Sequence, residues 1–329
     1  MRFFLIAPLI AVVAGCSVAP EDALTRAESA LEAGRPRDAF RTLVPEAASR
    51  AESGEFHCLL ANASFRTARV SAAAVSAGRA CELLPSDPRP LALKAMADRR
   101  RSLVLQARES AAAAADLAPD GPAGSPYKVV LGETLLAQGR QGTPDHGAAR
   151  DAFRAALETA DPAGPVVAQA RFGLARALVH GDEHEEAEPL LDRMIESDGM
   201  DFGDVRYLRG LTRLRARDFA GAADDFEWAA RLGAPDPGVH FNRARALQRL
   251  GDRAGAEDER ARYEAARERE EYVSGLLLSY CLESGDVAVA TELGRVLIEL
   301  RRYEDALDVL ESLCFDQPKS PRPHVLWVR

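Results

Sequence analysis

Residues 293–318 read LGRVLIELRRYEDALDVLESLCFDQP, and this stretch contains the spacing that decides the fold. Gly294 lies twelve residues before Ala306, Leu310 follows that alanine by four residues, and Pro318 closes the stretch. Because proline cannot continue a helix, the last helix of this unit is predicted to stop before Pro318. If the same unit recurs along the chain, the whole protein is built from one repeated helical element.

The unit does recur. One alanine appears again and again as the first small residue of a second helix, at spacings of 34, 34, 42, 38, 35, 34 and 50 residues. The spacing of 42 contains a Gly/Pro insertion at residues 140–147, and the spacing of 50 equals 34 plus a 16-residue helix. We call these residues the anchor alanines. They are Ala39, Ala73, Ala107, Ala149, Ala187, Ala222, Ala256 and Ala306.

This pattern resembles the tetratricopeptide family, whose repeat is 34 residues long. The family places a small residue twelve positions before the anchor, where the two helices of a pair approach most closely. Once the inserted loop is allowed for, every such position here is alanine or glycine. They are Ala27, Ala61, Ala95, Gly132, Ala175, Gly210, Ala244 and Gly294. The resemblance implies an all-α fold, a right-handed superhelical solenoid of antiparallel helix pairs with about eight repeats.

Turn residues agree with this phase. Glycines fall between the two helices of a pair, where a left-handed residue ends a helix at little cost. These are Gly34, Gly139, Gly181 and Gly251. Prolines fall between successive pairs, where a helix must stop. These are Pro85, Pro119, Pro162, Pro235 and Pro318.

The amino terminus has the pattern of an export signal. Residues 1–15, MRFFLIAPLIAVVAG, contain one positive charge and then an apolar run that is too short to cross a bilayer. Residues 13–16, VAGC, resemble the lipobox of bacterial lipoproteins, in which the cysteine thiol receives a diacylglycerol. We therefore expect lipidation at Cys16 and a lipid-anchored location in the cell envelope, at the periplasmic face of the outer membrane if the host has one. An ordinary cleaved signal with a chance cysteine is the alternative.

These features divide the chain into four parts: a signal peptide at residues 1–15, a lipidated tether at 16–22, a solenoid at 23–316, and a cap or tail at 317–329. The last segment, residues 321–329 (PRPHVLWVR), has two open interpretations. It either covers the final hydrophobic face, which the end of a solenoid requires, or it forms an exposed docking peptide.

One part of the solenoid is irregular. Residues 253–271 are densely charged and lack a wide apolar stripe, so we predict a solvated, partly projecting helix stabilised by ion pairs four residues apart. A coiled-coil arm is the alternative, although sustained heptads are missing. Residues 272–284 are predicted to form a separate apolar helix. Because Arg260 occupies a position where the repeat needs an apolar residue, the second helix of that repeat is doubtful.

Composition and motifs argue against several function classes. The formal net charge is −9 without a basic block, which excludes the usual electrostatic surface for nucleic acid. Phosphate loops, GxSxG elbows and HExxH motifs do not occur. His180 and His184 have the spacing of metal ligands, but Gly181 and Asp182 predict a turn between them. Carboxylates are predicted to scatter over exposed helix positions. We therefore expect no enzyme, cofactor, metal site or small-molecule substrate.

Four cysteines remain besides Cys16. An exported protein can keep disulfides, and two pairings fit the repeat geometry: Cys58 with Cys81, and Cys281 with Cys314. Single buried thiols are equally compatible with a helical core, so both pairings stay open.

In the tetratricopeptide family, the first helices of successive repeats line a concave groove that takes extended peptides or a helix. If the first helices of this chain line a groove in the same way, their groove-facing positions form a strip of aromatic residues and arginines. We expect this strip to bind an acidic or C-terminal peptide. The strip comprises Phe172, Arg176, Tyr207, Arg215, Phe241, Asn242, Arg245 and Arg249. The family's carboxylate clamp needs a lysine and asparagine set of which only Asn242 is present. Ordinary solvated residues are the alternative for the strip.

Two functions remain open on this basis. The first is a membrane-anchored scaffold or adaptor that binds protein partners in the cell envelope. The second is a non-catalytic regulatory subunit of a cell-wall enzyme complex.

Overall fold

A computed structural model describes residues 22–67, 69–137, 143–234, 237–282, 286–300, 302, 305–306 and 309–310, with only the backbone of residues 281 and 282. Across these residues the chain forms fifteen α-helices and no strand. The helices are α1 Ala23–Glu32, α2 Pro36–Leu43, α3 Gly54–Arg66, α4 Val70–Leu83, α5 Pro88–Arg100, α6 Val104–Leu117, α7 Ser125–Leu135, α8 His146–Thr159, α9 Pro165–His180, α10 His184–Glu196, α11 Gly203–Arg215, α12 Phe219–Arg231, α13 Gly238–Leu250, α14 Arg253–Leu282 and α15 Val287–Glu299.

The predicted close approach within each pair is confirmed. All eight anchor alanines are buried, with at most 2% of their surface exposed. At the facing position, a Cβ added to Gly210 would lie 2.6 Å from the Phe226 ring, and one added to Gly132 would lie 2.7 Å from the Phe153 ring. A side chain cannot occupy that space without displacing an aromatic ring of the core. The small residue therefore determines how closely the two helices pack.

The helix pairs stack so that the odd-numbered helices form one layer. From α1 to α13, each odd-numbered helix packs against the next odd-numbered helix, and each even-numbered helix packs between two odd-numbered ones. The predicted all-α solenoid of antiparallel helix pairs is confirmed. The first helices of the repeats line its inner, concave surface, and the second helices form the outer layer.

The turns inside the pairs follow a more exact rule than glycine spacing indicated. In five described turns the residue five positions before the anchor alanine is left-handed, with φ between +59° and +88°. These residues are Gly34, Ser102, Asp182, Arg217 and Gly251. The prediction for Gly181 is wrong by one position, because Gly181 caps α9 with φ −84° and Asp182 takes the left-handed conformation.

The prediction of two helices in residues 253–284 is also wrong. Residues 253–282 form the single helix α14, which continues through the change from charged to apolar sequence. A change in composition does not end a helix unless it brings a cap or a breaker. Gly275 is exposed with open space around it and does not interrupt the helix. The apolar end of α14 packs Val273 against Leu293 and Leu297 of α15.

The doubtful second helix of that repeat does form. It is the first part of α14, where Ala256 and Glu259 are each only 2% exposed. Arg260 lies on the exposed side and donates a hydrogen bond to Gln248 Oε1.

Several predictions fall outside the described residues. These include the lipidation site Cys16, nearly all of the tether, Gly139, Pro235, Cys314, Pro318 and the segment 317–329. Of the helices that the structure describes, none combines the length and the apolar character needed to cross a membrane.

Candidate functional site

The described residues form two large grooves along the first helices of the repeats. The first, here called the N-terminal groove, has a volume of about 580 Å³ and lies on α1, α3, α5 and α7. The second, here called the arginine groove, has a volume of about 850 Å³ and lies where α9, α11 and α13 end. The N-terminal groove is lined mainly by Leu31, Leu59, Leu93, Met96, Tyr127 and Val130. The arginine groove is lined mainly by Val179, Asp182, Leu211, Leu214, Arg215, Arg217, Arg245 and Arg249.

The aromatic residues of the predicted strip sit one per repeat on α9, α11 and α13. Each ring is positioned by a second aromatic ring from a neighbouring element. Phe172 packs edge-on against Phe202, with ring centroids 5.4 Å apart. Tyr207 lies 5.8 Å from the buried Phe226. Phe241 lies 5.4 Å from Tyr263 and keeps 45% of its surface exposed, so it offers a fixed ring to solvent. Tyr263 contributes to the site and was not recognised as part of it from the sequence.

The structure brings three strip residues, Tyr207, Phe241 and Arg245, together around a fourth, Asn242. The Asn242 side chain is buried and donates hydrogen bonds to the Tyr207 hydroxyl (3.2 Å) and to the carbonyl of Gly238 (3.0 Å). Its side-chain oxygen accepts a hydrogen bond of 3.0 Å from Arg245, whose guanidinium lies 5.9 Å from the centre of the Phe241 ring. Asn242 therefore positions Arg245 and is not itself available to a ligand.

Arg176 belongs to a separate part of the strip. Its guanidinium lies 5.7 Å from the centre of the Phe172 ring and makes an ion pair of 3.1 Å with Glu133 of α7. A ligand carboxylate would have to displace Glu133 to reach it. The strip is therefore divided into a paired part around Arg176 and an open part around Arg245.

The open part continues into the arginine groove. Arg215 makes an exposed ion pair of 3.2 Å with Asp182, and Asp182 is the only carboxylate among the groove's lining residues. Neither Arg217 nor Arg249 makes a hydrogen bond or ion pair through its guanidinium with any described residue. Arg217 was missed in the sequence because it follows the end of α11 and does not occupy a helical groove position.

The N-terminal groove was not predicted as a site. The surface of its lining is mainly apolar, although Glu28 and Glu32 also line it, and its two arginines have partners. Arg89 donates to both oxygens of Glu55 (3.0 and 2.8 Å) and also to Asp87, while Arg66 donates to the carbonyl of Leu31. Burial raises the pKa of the Cys58 thiol to about 12, with a smaller opposing effect from Arg89. This groove therefore offers apolar surface and an unreactive thiol.

Three carboxylates lie in the core, which contradicts the prediction that carboxylates occupy exposed positions. Asp225 is 1% exposed and accepts hydrogen bonds from Arg209 (2.7 and 2.9 Å), Arg206 (3.3 Å) and Arg213 (2.8 Å). Burial alone would lower the pKa of Arg209, but its hydrogen bonds to Asp225 raise it above the ordinary value. The other two are Asp98 and Glu259.

A sequence signal for these core contacts exists. A basic residue immediately before the small position pairs with a polar residue sixteen positions later, three after the anchor alanine. The hydrogen-bonded pairs are Lys94 with Ser110, Arg209 with Asp225, and Arg243 with Glu259. These hydrogen bonds, two of which are ion pairs, join the two helices of a repeat.

The remaining candidates do not assemble into a reactive site. His180 ends α9 and His184 begins α10, and His184 Nε2 lies 3.1 Å from Asp182 Oδ1. Within the described ranges, no cluster of three metal-ligating side chains occurs. Cys58 and Cys81 are free thiols, so that disulfide does not form. The side chains of Cys281 and Cys314 lie outside the described residues.

Comparison with known proteins agrees with this architecture. Residues 134–200 match the family model of the tetratricopeptide repeat. A solved tetratricopeptide repeat protein from Parabacteroides merdae is similar, with a TM-score of 0.53 and 14% identity over 74% of this chain and 91% of that one. PilW, a type IV pilus biogenesis factor, is similar with a TM-score of 0.55 and 19% identity over 64% of this chain and 92% of that one.

At these identities the solved structures establish the fold and nothing further. No curated protein sequence matches the chain. The chain thus has a tetratricopeptide-like superhelical fold whose concave surface carries two chemically different grooves.

Proposed function

We propose that this protein is a lipid-anchored interaction scaffold of the bacterial cell envelope, which binds an acidic segment of a protein partner on its concave surface. One observation carries the proposal: the fixed ring of Phe241 and the guanidinium of Arg245 adjoin a groove in which Arg217 and Arg249 have no carboxylate partner. Aromatic side chains and arginines contribute most of the binding energy in many protein interfaces. An arginine can also donate two parallel hydrogen bonds to one carboxylate.

The geometry supports binding without reorganisation of the site. Arg245 is positioned by Asn242, which in turn is held by Tyr207 and by the backbone of α13. A ligand carboxylate can therefore meet a guanidinium that has already lost part of its conformational freedom, which lowers the entropy cost of binding. Apolar residues of the ligand would pack on Phe241 and on Leu211 and Leu214 in the groove floor.

The envelope part of the proposal rests on residues 13–16. The sequence VAGC after a short apolar run supports acylation of Cys16 and, if the host has two membranes, a position at the periplasmic face of the outer one. Several acyl chains anchor a protein stably where one chain does not. A short tether would keep the scaffold close to its membrane.

The test is capture of partners by the full-length, membrane-anchored protein after gentle cross-linking, read by mass spectrometry. Four forms are compared: wild type, Cys16→Ala, the double variant Arg245→Ala/Arg249→Ala, and the matched control Arg41→Ala/Arg269→Ala, which removes two exposed arginines outside both grooves. We expect one envelope complex to be enriched with wild type and with the control, and to be lost with the groove variant.

Equal capture by wild type and the groove variant would eliminate the peptide-binding role of the strip. Equal capture by the Cys16→Ala form would eliminate the anchor as a requirement. Enrichment of a cell-wall hydrolase or synthase whose activity changes on binding would instead assign the protein as a regulatory subunit.

A further inference from the structure

Arg217 occupies a backbone conformation that favours glycine. It is left-handed, with φ +65°, at the turn position where two other repeats have Gly34 and Gly251. For residues with a Cβ, this conformation is disfavoured by local steric contacts. Arg217 therefore keeps an unfavourable backbone conformation that a glycine at the same position would avoid.

Its place in the turn gives no local reason for an arginine. Cations in the last turn of a helix interact favourably with the helix carboxyl end. Arg215 and Arg249 lie in such turns, but Arg217 lies beyond the end of α11. Its backbone N–H donates to the carbonyl of Leu214, which any residue can do, and its guanidinium contacts no carboxylate within the described part of the chain. The left-handed conformation belongs to the turn of the repeat, because Ser102 adopts it as well. What distinguishes Arg217 is the cation that it adds to the arginine groove.

The strained turn directs Arg217 into the arginine groove. Asp182, the equivalent left-handed residue of the preceding turn, lines the same groove, whereas Ser102 does not. Four arginines and one carboxylate line this groove of about 850 Å³, together with apolar side chains that include Leu211 and Leu214. This excess of positive charge occurs on a chain whose formal net charge is −9, so the groove is a local positive region on an acidic protein.

We infer that Arg217 completes a binding site for a partner segment in which neighbouring acidic side chains flank an apolar residue. The inference rests on the proposed function and specifies its ligand. The acidic side chains pair with Arg217 and Arg249, and the apolar residue packs on Leu211 and Leu214. A small inorganic anion would use the guanidinium groups but would leave Leu211 and Leu214 uncovered, which is why a peptide segment fits the groove better.

The test separates binding from stability. In Arg217→Gly the backbone strain is removed together with the cation, so we expect a melting temperature higher by about 1–3 °C and about tenfold weaker binding of a synthetic peptide of repeated Glu-Glu-Leu units. Arg217→Lys keeps the charge but not the forked geometry, and we expect intermediate affinity. Ser102→Gly is the matched control, because it relieves the same conformation away from the groove; we expect higher stability with unchanged binding.

Three results of the peptide-binding test would overturn the inference. They are unchanged binding by Arg217→Gly, equal affinity of wild type for the Glu-Glu-Leu peptide and its Gln-Gln-Leu counterpart, and equally tight binding of inorganic pyrophosphate, which would assign a simple anion site. Partner capture that is lost with Arg245→Ala/Arg249→Ala but kept with Arg217→Gly would reject this inference and leave the proposed function standing.

Discussion

The N-terminal groove and the arginine groove are built from the same repeat. They differ in whether their arginines have hydrogen-bond acceptors within the protein. In the N-terminal groove, Arg89 and Arg66 are bound by protein acceptors, so the groove presents aliphatic surface. In the arginine groove, Arg217 and Arg249 have no acceptor among the described residues. The difference shows that the same helix packing can support grooves whose surface chemistry differs.

The physical reason is that different positions of the repeat pack the helices and line the grooves. Contacts within a helix pair need a small residue opposite a large one, as at Gly210 and Phe226. Tyr207, Leu211 and Leu214 on the first helix of that pair also pack against the core that contains Phe226. The exposed Arg215 and Arg217 take no part in this packing, so their side chains can change without loss of it. The buried ion pair of Arg209 with Asp225 joins the two helices of one pair, and neither residue lines a groove.

The largest difference between the two regions should appear in the free energy of unfolding that is lost when a buried carboxylate is removed. We predict that Asp225→Ala lowers the free energy of unfolding by about 3–5 kcal/mol, because it leaves the buried guanidinium of Arg209 without its main partner. Asp98→Ala, in the pair α5–α6 beside the N-terminal groove, should cost only about 1–3 kcal/mol, because the side chains of Lys94 and Arg101 are 33% and 43% exposed and can be solvated. Urea unfolding followed by circular dichroism measures both.

Equal losses from Asp225→Ala and Asp98→Ala would contradict the idea that partner burial decides the cost. The double variant Arg209→Leu/Asp225→Leu is the control, since it removes both charges. We expect it to be more stable than Asp225→Ala alone.

A smaller difference is predicted in the response to salt. Binding of the Glu-Glu-Leu peptide to the arginine groove should weaken about tenfold between 50 mM and 500 mM sodium chloride, because exposed charges are screened. Binding of the neutral dye Nile red to the N-terminal groove should not weaken, and Met96→Glu should reduce it. Fluorescence titrations give both affinities. Salt-independent binding of the acidic peptide would show that the unpaired arginines do not carry recognition.

The smallest effect concerns Cys58 in the N-terminal groove. Its folded-state pKa is raised by burial to about 12, so above pH 9 the thiol ionises in the unfolded chain and not in the folded one. Ionisation then favours the unfolded chain, and the contribution of Cys58 to stability should fall by about 1 kcal/mol between pH 8 and pH 10. Urea unfolding of wild type and Cys58→Ala at both pH values measures this contribution of Cys58 to the free energy of unfolding. A constant difference between the two proteins would indicate an ordinary thiol pKa.

Much of the fold was predictable because its repeat is local and periodic. The anchor alanines and their small partners were correctly placed, since the steric requirement at each is the same in every repeat. The continuous helix α14 was not predicted, because its apolar end is stabilised by α15, which the local composition of residues 253–271 does not reveal. Asp182 was missed as a left-handed residue because glycine at position 181 was the stronger local signal.

By itself, the sequence determined the helix pairs and their phase, because these follow from spacing along one chain. Only the tertiary structure decided which arginines form ion pairs or hydrogen bonds with other residues. Arg176 meets Glu133 across 43 residues and Arg89 meets Glu55 across 34, whereas Arg217 and Arg249 meet no acceptor in the described part of the chain. An ion pair depends on where two repeats place their side chains in space, and spacing within one repeat carries no information about that distance.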